Sequence, residues 1–295
     1  MSLFAAAVGF GLVTAAVLTL ATLGFNLQFA VSDVLNVAFA SLMTVGQFTA
    51  YVFNRQGWSI WVSSVIAMIV VGAASLLLNR FVLEPFQRRG TPAFGIVLVT
   101  YAVALMITYL LQGYFGPGFF TYNLPENSGA VIRIGGMILT HFQLTNFAIA
   151  AACVVGLNLM LQRTSLGRAI RAVSDDRPLA RGAGINVRFV TDATWFVSGA
   201  VAAVAGVLLA VSQSNFGAVS SDVYLILVLA AAFVGGAGKP YGAIIGALVV
   251  GLTMEVSSIW IEPQYKTIVA FGVLIVVLLV KPSGVLGLAR GEVRA

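Results

Sequence analysis

The chain has 295 residues, of which 60% are hydrophobic and only 9% are charged, and its mean hydropathy is +1.00. Charged residues make up about 25% of soluble globular proteins, so this composition excludes that class. The formal net charge of +6 at pH 7 would suggest nucleic acid as a partner of a soluble protein, but basic loops on the cytoplasmic side of a membrane explain the same excess, and no nucleic-acid partner is expected.

Nine apolar segments are candidates to cross a lipid bilayer, since a transmembrane helix needs about 20 apolar residues. They lie near residues 4–23, 34–53, 59–79, 93–113, 142–162, 190–211, 223–238, 241–260 and 266–281. Two of them are irregular, because 34–53 contains Asn36 and Gln47, and 223–238 is short and ends in glycines. We therefore predict an all-α, polytopic integral membrane protein with about eight to nine transmembrane helices, in a single transmembrane domain over residues 1–295.

The segment between the fifth and sixth candidates, residues 163–188, holds six arginines and two aspartates. Burying six arginines in hydrocarbon at about 2.5 kcal/mol each would cost roughly 15 kcal/mol, so the segment is aqueous, and its basicity places it in the cytoplasm. When the nine crossings alternate from there, the N-terminus lies outside and only Arg55, Arg133 and Lys266 of the 16 basic residues lie outside. Residues 114–136 become the longest external loop, read either as an ordered cap or docking surface or as a plain connector.

Signatures of catalysis are scarce. The chain has one histidine, His141, and one cysteine, Cys153, which leaves no set for a histidine-based metal site, a catalytic triad or an internal disulfide. The stretch "GGAGKPYG", 235–242, lacks the first glycine of a phosphate loop, and Pro240 stands where Ser or Thr would hold magnesium. We expect no enzyme activity, no metal and no cofactor bound by this chain.

Uncharged polar residues are the candidates for a solute path. Asn36 and Gln47 are 11 residues apart, which is three helical turns, so one helical face could present both amides to a water-filled cavity. The alternative is that they bond helix to helix. Gly242 and Gly246 lie four apart in "GKPYGAIIGALVVG", a spacing that lets two helices approach closely, and we read them as packing residues.

The cytoplasmic segment is predicted to fold as helix, turn and helix. Four apolar residues follow helical spacing on one face: Leu166, Ala169, Ile170 and Val173. Arg168 and Arg171 lie on the other face, Asp175 or Asp176 can cap the second helix, and Gly184 helps to stop it. Binding to anionic lipid is one interpretation. The other is docking to a separate subunit that supplies the energy.

Six stretches of the chain carry a resemblance to one family: "LNVAFASLMTVGQFTAY", "LEPFQRRGTPAFGIVLVTYAVALMI", "TSLGRAIRAVSDDRPLARGAGINV", "VSGAVAAVAGVLLA", "FVGGAGKPYGAIIGALVVG" and "QYKTIVAFGVLIVVLLVKPSGVLG". The chain closely resembles permease subunits of the branched-chain amino acid ABC importers, and most of all the smaller of their two permeases. The resemblance covers nearly the whole chain.

The resemblance implies a role for the segment 163–188 as the coupling loop that sits in a groove of an ATP-binding subunit. Carried over by position, the docking residues would be Arg168, Arg171, Asp175, Asp176 and Gly184. The family also implies a second permease, homologous or identical, ATP-binding subunits that hold ATP and magnesium, an extracytoplasmic solute-binding protein, and a place in the bacterial cytoplasmic (inner) membrane.

One stretch departs from the family. Where members commonly have Asn-Phe-Ala-His-Gly-Glu, this chain has Asn36-Val37-Ala38-Phe39-Ala40-Ser41. The expected cargo is therefore a branched-chain amino acid or a similar small polar solute. The alternatives are an ABC permease for another solute, such as urea, short amides or sugars, a stand-alone secondary carrier, and a membrane-embedded enzyme such as a lipid-modifying transferase.

Overall fold

The computed structural model describes residues 2–124, 131–134, 137–262, 265–281 and 284–285. Within these ranges the chain forms twelve α-helices and one antiparallel hairpin of two short strands. The elements are α1 (Ser2–Ser32), α2 (Phe39–Arg55), α3 (Ile60–Leu78), α4 (Glu84–Arg88), α5 (Ala93–Phe115), β1 (Val131–Ile134), β2 (Met137–Thr140), α6 (His141–Arg163), α7 (Ser165–Asp175), α8 (Arg177–Gly182), α9 (Val187–Gln213), α10 (Ser220–Gly235), α11 (Pro240–Ser257) and α12 (Lys266–Val280). A π-helical turn, Asn79–Leu83, joins α3 to α4. The predicted all-α, polytopic fold is confirmed, with the hairpin as a small addition.

Each of the nine predicted membrane segments is a helix. In the described ranges, six stretches are long and apolar enough to cross a membrane: Ala7–Ser32, Ile60–Arg88, Ala93–Phe115, His141–Arg163, Val187–Gln213 and Pro240–Ser257. The other three helices, α2, α10 and α12, have 17, 16 and 15 residues. At 1.5 Å per residue they extend about 26, 24 and 23 Å, less than the ~30 Å of hydrocarbon. The two segments predicted to be irregular are therefore short helices.

Helix α1 is longer than predicted. The expected crossing ended at residue 23, whereas the helix continues to Ser32. The extension contains polar Asn26 and Gln28, and both are buried. The Asn26 side-chain amide donates to the Lys239 carbonyl (3.1 Å), and that of Gln28 donates to the Ser75 hydroxyl (3.1 Å). Partners on distant helices thus stabilise a helical stretch whose composition suggested an end.

The bundle is built around α9, which is almost entirely buried and packs against α1, α2 and α3. Small residues allow this contact: Gly199 lies against Val71 and Ser75 of α3, and Gly206 lies against the Met43 backbone of α2. Trp195, the largest fully buried side chain, donates from its indole nitrogen to the Ser32 hydroxyl of α1 (2.6 Å). Close backbone contact and cross-helix hydrogen bonds are the forces that hold helices together in a bilayer.

Two helix triplets repeat the same pattern of a long helix, a short helix and a helix of intermediate length, α1–α2–α3 and α9–α10–α11. Each long helix packs on the third helix of the other triplet, α1 on α11 and α9 on α3. Both pairs are antiparallel, as Gly251 against Ala15 and Asn26 against Lys239 demonstrate for the first. In many transporters, short helices at matching positions of two repeats mark the region of the solute path.

Charged groups gather at two opposite ends of the bundle. At one end Glu84 pairs with Arg88 (2.5 Å) and with Arg188 (3.5 Å), close to the segment 163–188. At the other end Lys266 pairs with Glu255 (2.6 Å), and Arg55 lies over an aromatic ring of α2. This separation is what alternating crossings require. The assignment of the first end to the cytoplasm stays a prediction, and Arg290 and Arg294 lie outside the described residues.

A reporter enzyme that is active only outside the cytoplasm tests this orientation. Fused after Asn123, it is expected to be active, because residues 116–124 lie at the end that carries Arg55. Fused after Asp176, it is expected to be inactive, because that position lies in the arginine-rich segment. Activity per molecule of fusion protein, normalised by immunoblot, is the measurement. The reverse pattern would invert the assigned topology.

Candidate functional site

The segment 163–188 is a folded unit attached to the bundle, which we call the cytoplasmic knob after its predicted side of the membrane. Its first helix, α7, begins at Thr164, whose hydroxyl accepts a hydrogen bond from the Gly167 backbone N–H (3.0 Å). Ile170 and Val173 are buried against the bundle, so the apolar face predicted from the spacing is the packed face. Gly167 lies directly on the backbone of Leu161 in α6, where a larger residue would not fit.

The second helix of the knob, α8, is held by caps at both ends. Asp176 is its N-cap, and its carboxylate accepts from the Leu179 backbone N–H (2.8 Å). The chain then turns through Gly184, whose positive φ of 84° favours glycine. Asn186 caps the following helix, α9, by accepting from the Phe189 backbone N–H (3.1 Å). Caps at every junction make the knob a defined shape.

The five predicted docking residues fall into two groups. Arg171 donates to the Leu161 carbonyl at the end of α6, Asp176 caps α8, and Gly184 makes a turn, so these three maintain the shape of the knob. Arg168 and Asp175 are exposed on its surface. None of this tests docking itself, which stays a prediction.

One surface residue of the knob, Leu179, was not among the predicted docking residues. Leu179 in α8 is 71% exposed and lies beside polar and small neighbours. The signal was available, because α8 is too short to bury a face of its own and its other apolar residue, Ala180, takes the inner position. Its position on a capped helix at the surface of the knob leaves this side chain accessible to another protein.

A polar cavity of about 310 Å³ separates the knob from the α3–α4 region. Its charged lining residues are Glu84, Arg88, Arg177, Arg181, Arg188 and Asp192. Burial lowers the pKa of Arg177, and the nearby carboxylate of Asp33 opposes that shift. Basic side chains of the knob and acidic side chains of the bundle line this cavity together. Opposite charges therefore attract the knob to the bundle across it.

The predicted path residues Asn36 and Gln47 are both fully buried inside this single chain. The Asn36 side-chain amide donates to the Gln28 side-chain oxygen (2.9 Å), and that of Gln47 donates to the Gly206 carbonyl (3.1 Å). The assumption that one helical face carries both is wrong, because Asn36 lies in the irregular connection before α2. These contacts match the helix-to-helix alternative, and the path role stays a prediction.

The glycines predicted to pack helices lie where α10 and α11 touch. Gly242 is in contact with the Gly235 carbonyl, and Gly246 is in contact with the Ala231 carbonyl. A β-carbon at either position would overlap a backbone oxygen of α10. The four-residue spacing therefore brings two helix backbones together, as small residues do in membranes.

The described part of the external loop packs as a cap on the outer end of α2. The backbones of Phe120 and Phe216 exchange hydrogen bonds of 2.8 and 3.0 Å, and the Tyr122 hydroxyl donates to the Gln47 carbonyl (3.1 Å). Beside it lies an outer cavity of about 430 Å³ whose lining includes Tyr51 and Arg55. The rest of the predicted loop at 125–130 and 135–136 lies outside the described residues.

Comparison with known proteins gives concordant matches. A family model described as "Branched-chain amino acid transport system / permease component" matches residues 7–278. The high-affinity branched-chain amino acid transport system permease protein BraD of Pseudomonas aeruginosa is 28% identical over 302 residues, covering 94% of each chain. The protein LivH of Escherichia coli K12, described in the same words, is 25% identical and covers 91% of this chain and 90% of its own. Among solved structures, PsaBC from Streptococcus pneumoniae in complex with Fab matches with a TM-score of 0.51 at 13% identity, over 93% of this chain and 91% of that chain, which shows a shared fold.

Proposed function

Since the chain belongs to the family of branched-chain amino acid transport system permease components, we propose that it is the membrane-spanning subunit of an ATP-driven importer. It would line a solute path together with a second permease, either homologous or identical. ATP-binding subunits, which would hold ATP and magnesium, would dock on the cytoplasmic knob. An extracytoplasmic solute-binding protein would deliver the cargo, and the bacterial cytoplasmic membrane is the proposed location.

The main observation that supports the proposal is the structure of the cytoplasmic knob. It is capped at each junction, packed on the bundle through Ile170 and Val173, and it exposes Arg168, Asp175 and Leu179. A basic helix that binds lipid would lay its apolar face on the membrane. In the knob the apolar face of α7 is already used in packing, and this leaves a rigid surface suited to a protein partner.

The knob is also well placed to transmit movement. Through α7 it packs on α1, α6 and α9, and α8 leads directly into α9, the central helix of the bundle. Closure of ATP-binding subunits around nucleotide would displace the knob as a rigid body. The displacement would rock α9 and the helices packed on it, and the path would alternate between outward and inward openings.

We propose an apolar amino acid as the cargo, the class that the relatives' names specify. The stretch that departs from the family supports this choice, because its replaced positions serve packing. The Phe39 ring meets the Phe25 ring edge-on with centroids 5.8 Å apart, and the Ser41 hydroxyl donates to the Ala104 carbonyl (3.3 Å). Replacement of the family's His-Gly-Glu at buried packing positions need not alter the solute path.

Reconstitution tests the proposal. The chain is co-purified with its ATP-binding subunits and second permease, placed in liposomes with the solute-binding protein, and supplied with radiolabelled leucine. ATP inside the liposomes is expected to drive uptake, and a non-hydrolysable analogue is expected to give none. Uptake by the chain alone, without any ATP-binding subunit, would identify a secondary carrier. Uptake of urea or a sugar in preference to leucine would reject the proposed cargo.

A further inference from the structure

Helix α5 packs on the bundle through one narrow stripe. Its buried residues are spaced four apart along the helix: Ile96, Thr100, Ala104 and Thr108. Hydrogen bonds fasten this stripe to the region of α2, since the Val37 backbone N–H donates to the Thr100 hydroxyl (3.2 Å) and the Ser41 hydroxyl donates to the Ala104 carbonyl. The rest of the circumference of α5 faces away from the chain.

Two tyrosines lie on this outward surface near the middle of α5. Tyr101 and Tyr109 are 51% and 66% exposed, and neither hydroxyl has a hydrogen-bond partner among the residues the structure describes. The midpoint of α5 is Ala104. At a rise of 1.5 Å per residue, the two Cα atoms lie about 4.5 and 7.5 Å from that midpoint along the axis, inside the ~15 Å half-thickness of the hydrocarbon. Helical side chains lean toward the N-terminus, so the Tyr109 side chain leans toward the helix midpoint, and the Tyr101 side chain leans from its position about 4.5 Å before the midpoint toward the N-terminal end of α5.

The large residues that α6 and α12 expose on their outward faces are apolar. The exposed large residues of α12 are Ile268, Phe271, Ile275, Val276, Leu279 and Val280. Those of α6 are Leu144, Phe147, Val155 and Leu159. Neither helix contains a tyrosine. These faces suit lipid tails, which offer no partner to a hydroxyl, whereas the face of α5 does not.

We propose that the face of α5 formed by Tyr101, Leu105 and Tyr109, which follow one another at four-residue intervals, lines the solute path. The inference rests on the proposed function, in which the path lies between two permeases. The two phenol hydroxyls would meet water and the ammonium and carboxylate groups of the cargo, and Leu105 would meet its apolar side chain. A wall with hydroxyls and no charge binds a neutral, dipolar amino acid weakly enough to release it.

Cysteine accessibility in the assembled importer tests the inference. Single cysteines are placed at positions 101, 105 and 109 in a Cys153→Ser background. Matched controls are Met106→Cys and Leu110→Cys, which lie at the same depth on another side of the same helix. A charged, water-soluble thiol reagent is expected to label the three path positions at least about tenfold faster than the controls, because hydrocarbon excludes the reagent. ATP binding is expected to change the labelling rates at 101 and 109.

Equal labelling at all five positions, or none at any, would overturn the inference. The failure of the proposed function is seen separately, because the Cys153→Ser importer is also assayed for ATP-driven uptake of leucine. Intact uptake with unlabelled path positions rejects only the assignment of the path to α5. Labelled path positions without ATP-driven uptake support a water-lined face and reject the importer.

Discussion

Replacement of Leu179 by aspartate is expected to release the ATP-binding subunits and abolish ATP-driven uptake. Leu179 is the large apolar side chain that the cytoplasmic knob exposes on α8, and it makes no contribution to the core of the chain. An apolar anchor buried at the centre of an interface contributes about 2 kcal/mol or more, which corresponds to at least a ~30-fold loss of affinity. The measurement is the amount of ATP-binding subunit that co-purifies with the affinity-tagged permease.

The matched control is Leu179→Met, which keeps an apolar side chain of similar volume and is expected to retain the subunits. Because position 179 is exposed in the free chain, both variants should give the same monodisperse elution profile in detergent. Arg168→Glu provides a second, electrostatic arm, since Arg168 is exposed on α7. Wild-type recovery of ATP-binding subunits with both Leu179→Asp and Arg168→Glu would rule out docking through the knob.

Replacement of Gly246 by leucine is expected to destabilise the permease severely. The glycine lies against the Ala231 carbonyl, so any side chain would force α10 and α11 apart. Overpacking a tight core costs up to about 3 kcal/mol, and a contact between two backbones has little room to relax. The measurement is the midpoint temperature of aggregation in detergent, followed by fluorescence-detected size-exclusion chromatography. Gly246→Ala should produce a smaller shift in the same direction.

Gly272→Leu is the control for this substitution. Gly272 lies on α12, and apart from the nearby backbone of its own helix no atom of the described residues is within 4 Å of the position where its β-carbon would be. Both substitutions raise the apolarity of a membrane helix, so they should not differ in insertion. An equal loss of thermal stability in the two variants would show that helix propensity or expression, and not the close approach of α10 and α11, determines the effect.

The positions of membrane helices were predictable because their determinants are local. Long runs without Lys or Arg located all nine helices, and the arginine-rich segment between two of them indicated an aqueous element. The helix ends were less predictable. The apolar run predicted a crossing that ends near residue 23, whereas the helix continues through Asn26 and Gln28, whose side chains bond Lys239 and Ser75, more than 40 residues away. A sequence identifies the polar side chains of a helix, but it does not identify the groups on other helices that form hydrogen bonds with them.

In the candidate site, too, some features could be predicted from the local sequence and others depend on the tertiary structure. The amphipathic face of α7 and a capping aspartate at position 175 or 176 follow from spacing and residue type within one short segment and were predicted, and the structure identifies Asp176 as the cap. The use of Arg171 to bond the Leu161 carbonyl, and the exposure of Leu179, depend on how α7 and α8 lie on the bundle.

The sequence by itself determined that this protein is a polytopic helical permease with an arginine-rich aqueous knob, because hydrophobic length, charge distribution and family motifs are properties of contiguous residues. The tertiary structure alone decided which side chains of each helix face the bundle. Gln47, a predicted path residue, is buried against Gly206, whereas Tyr101 and Tyr109 of α5 face outward. The physical reason is that a membrane helix is apolar all round, so its composition carries little record of which side meets protein, lipid or water.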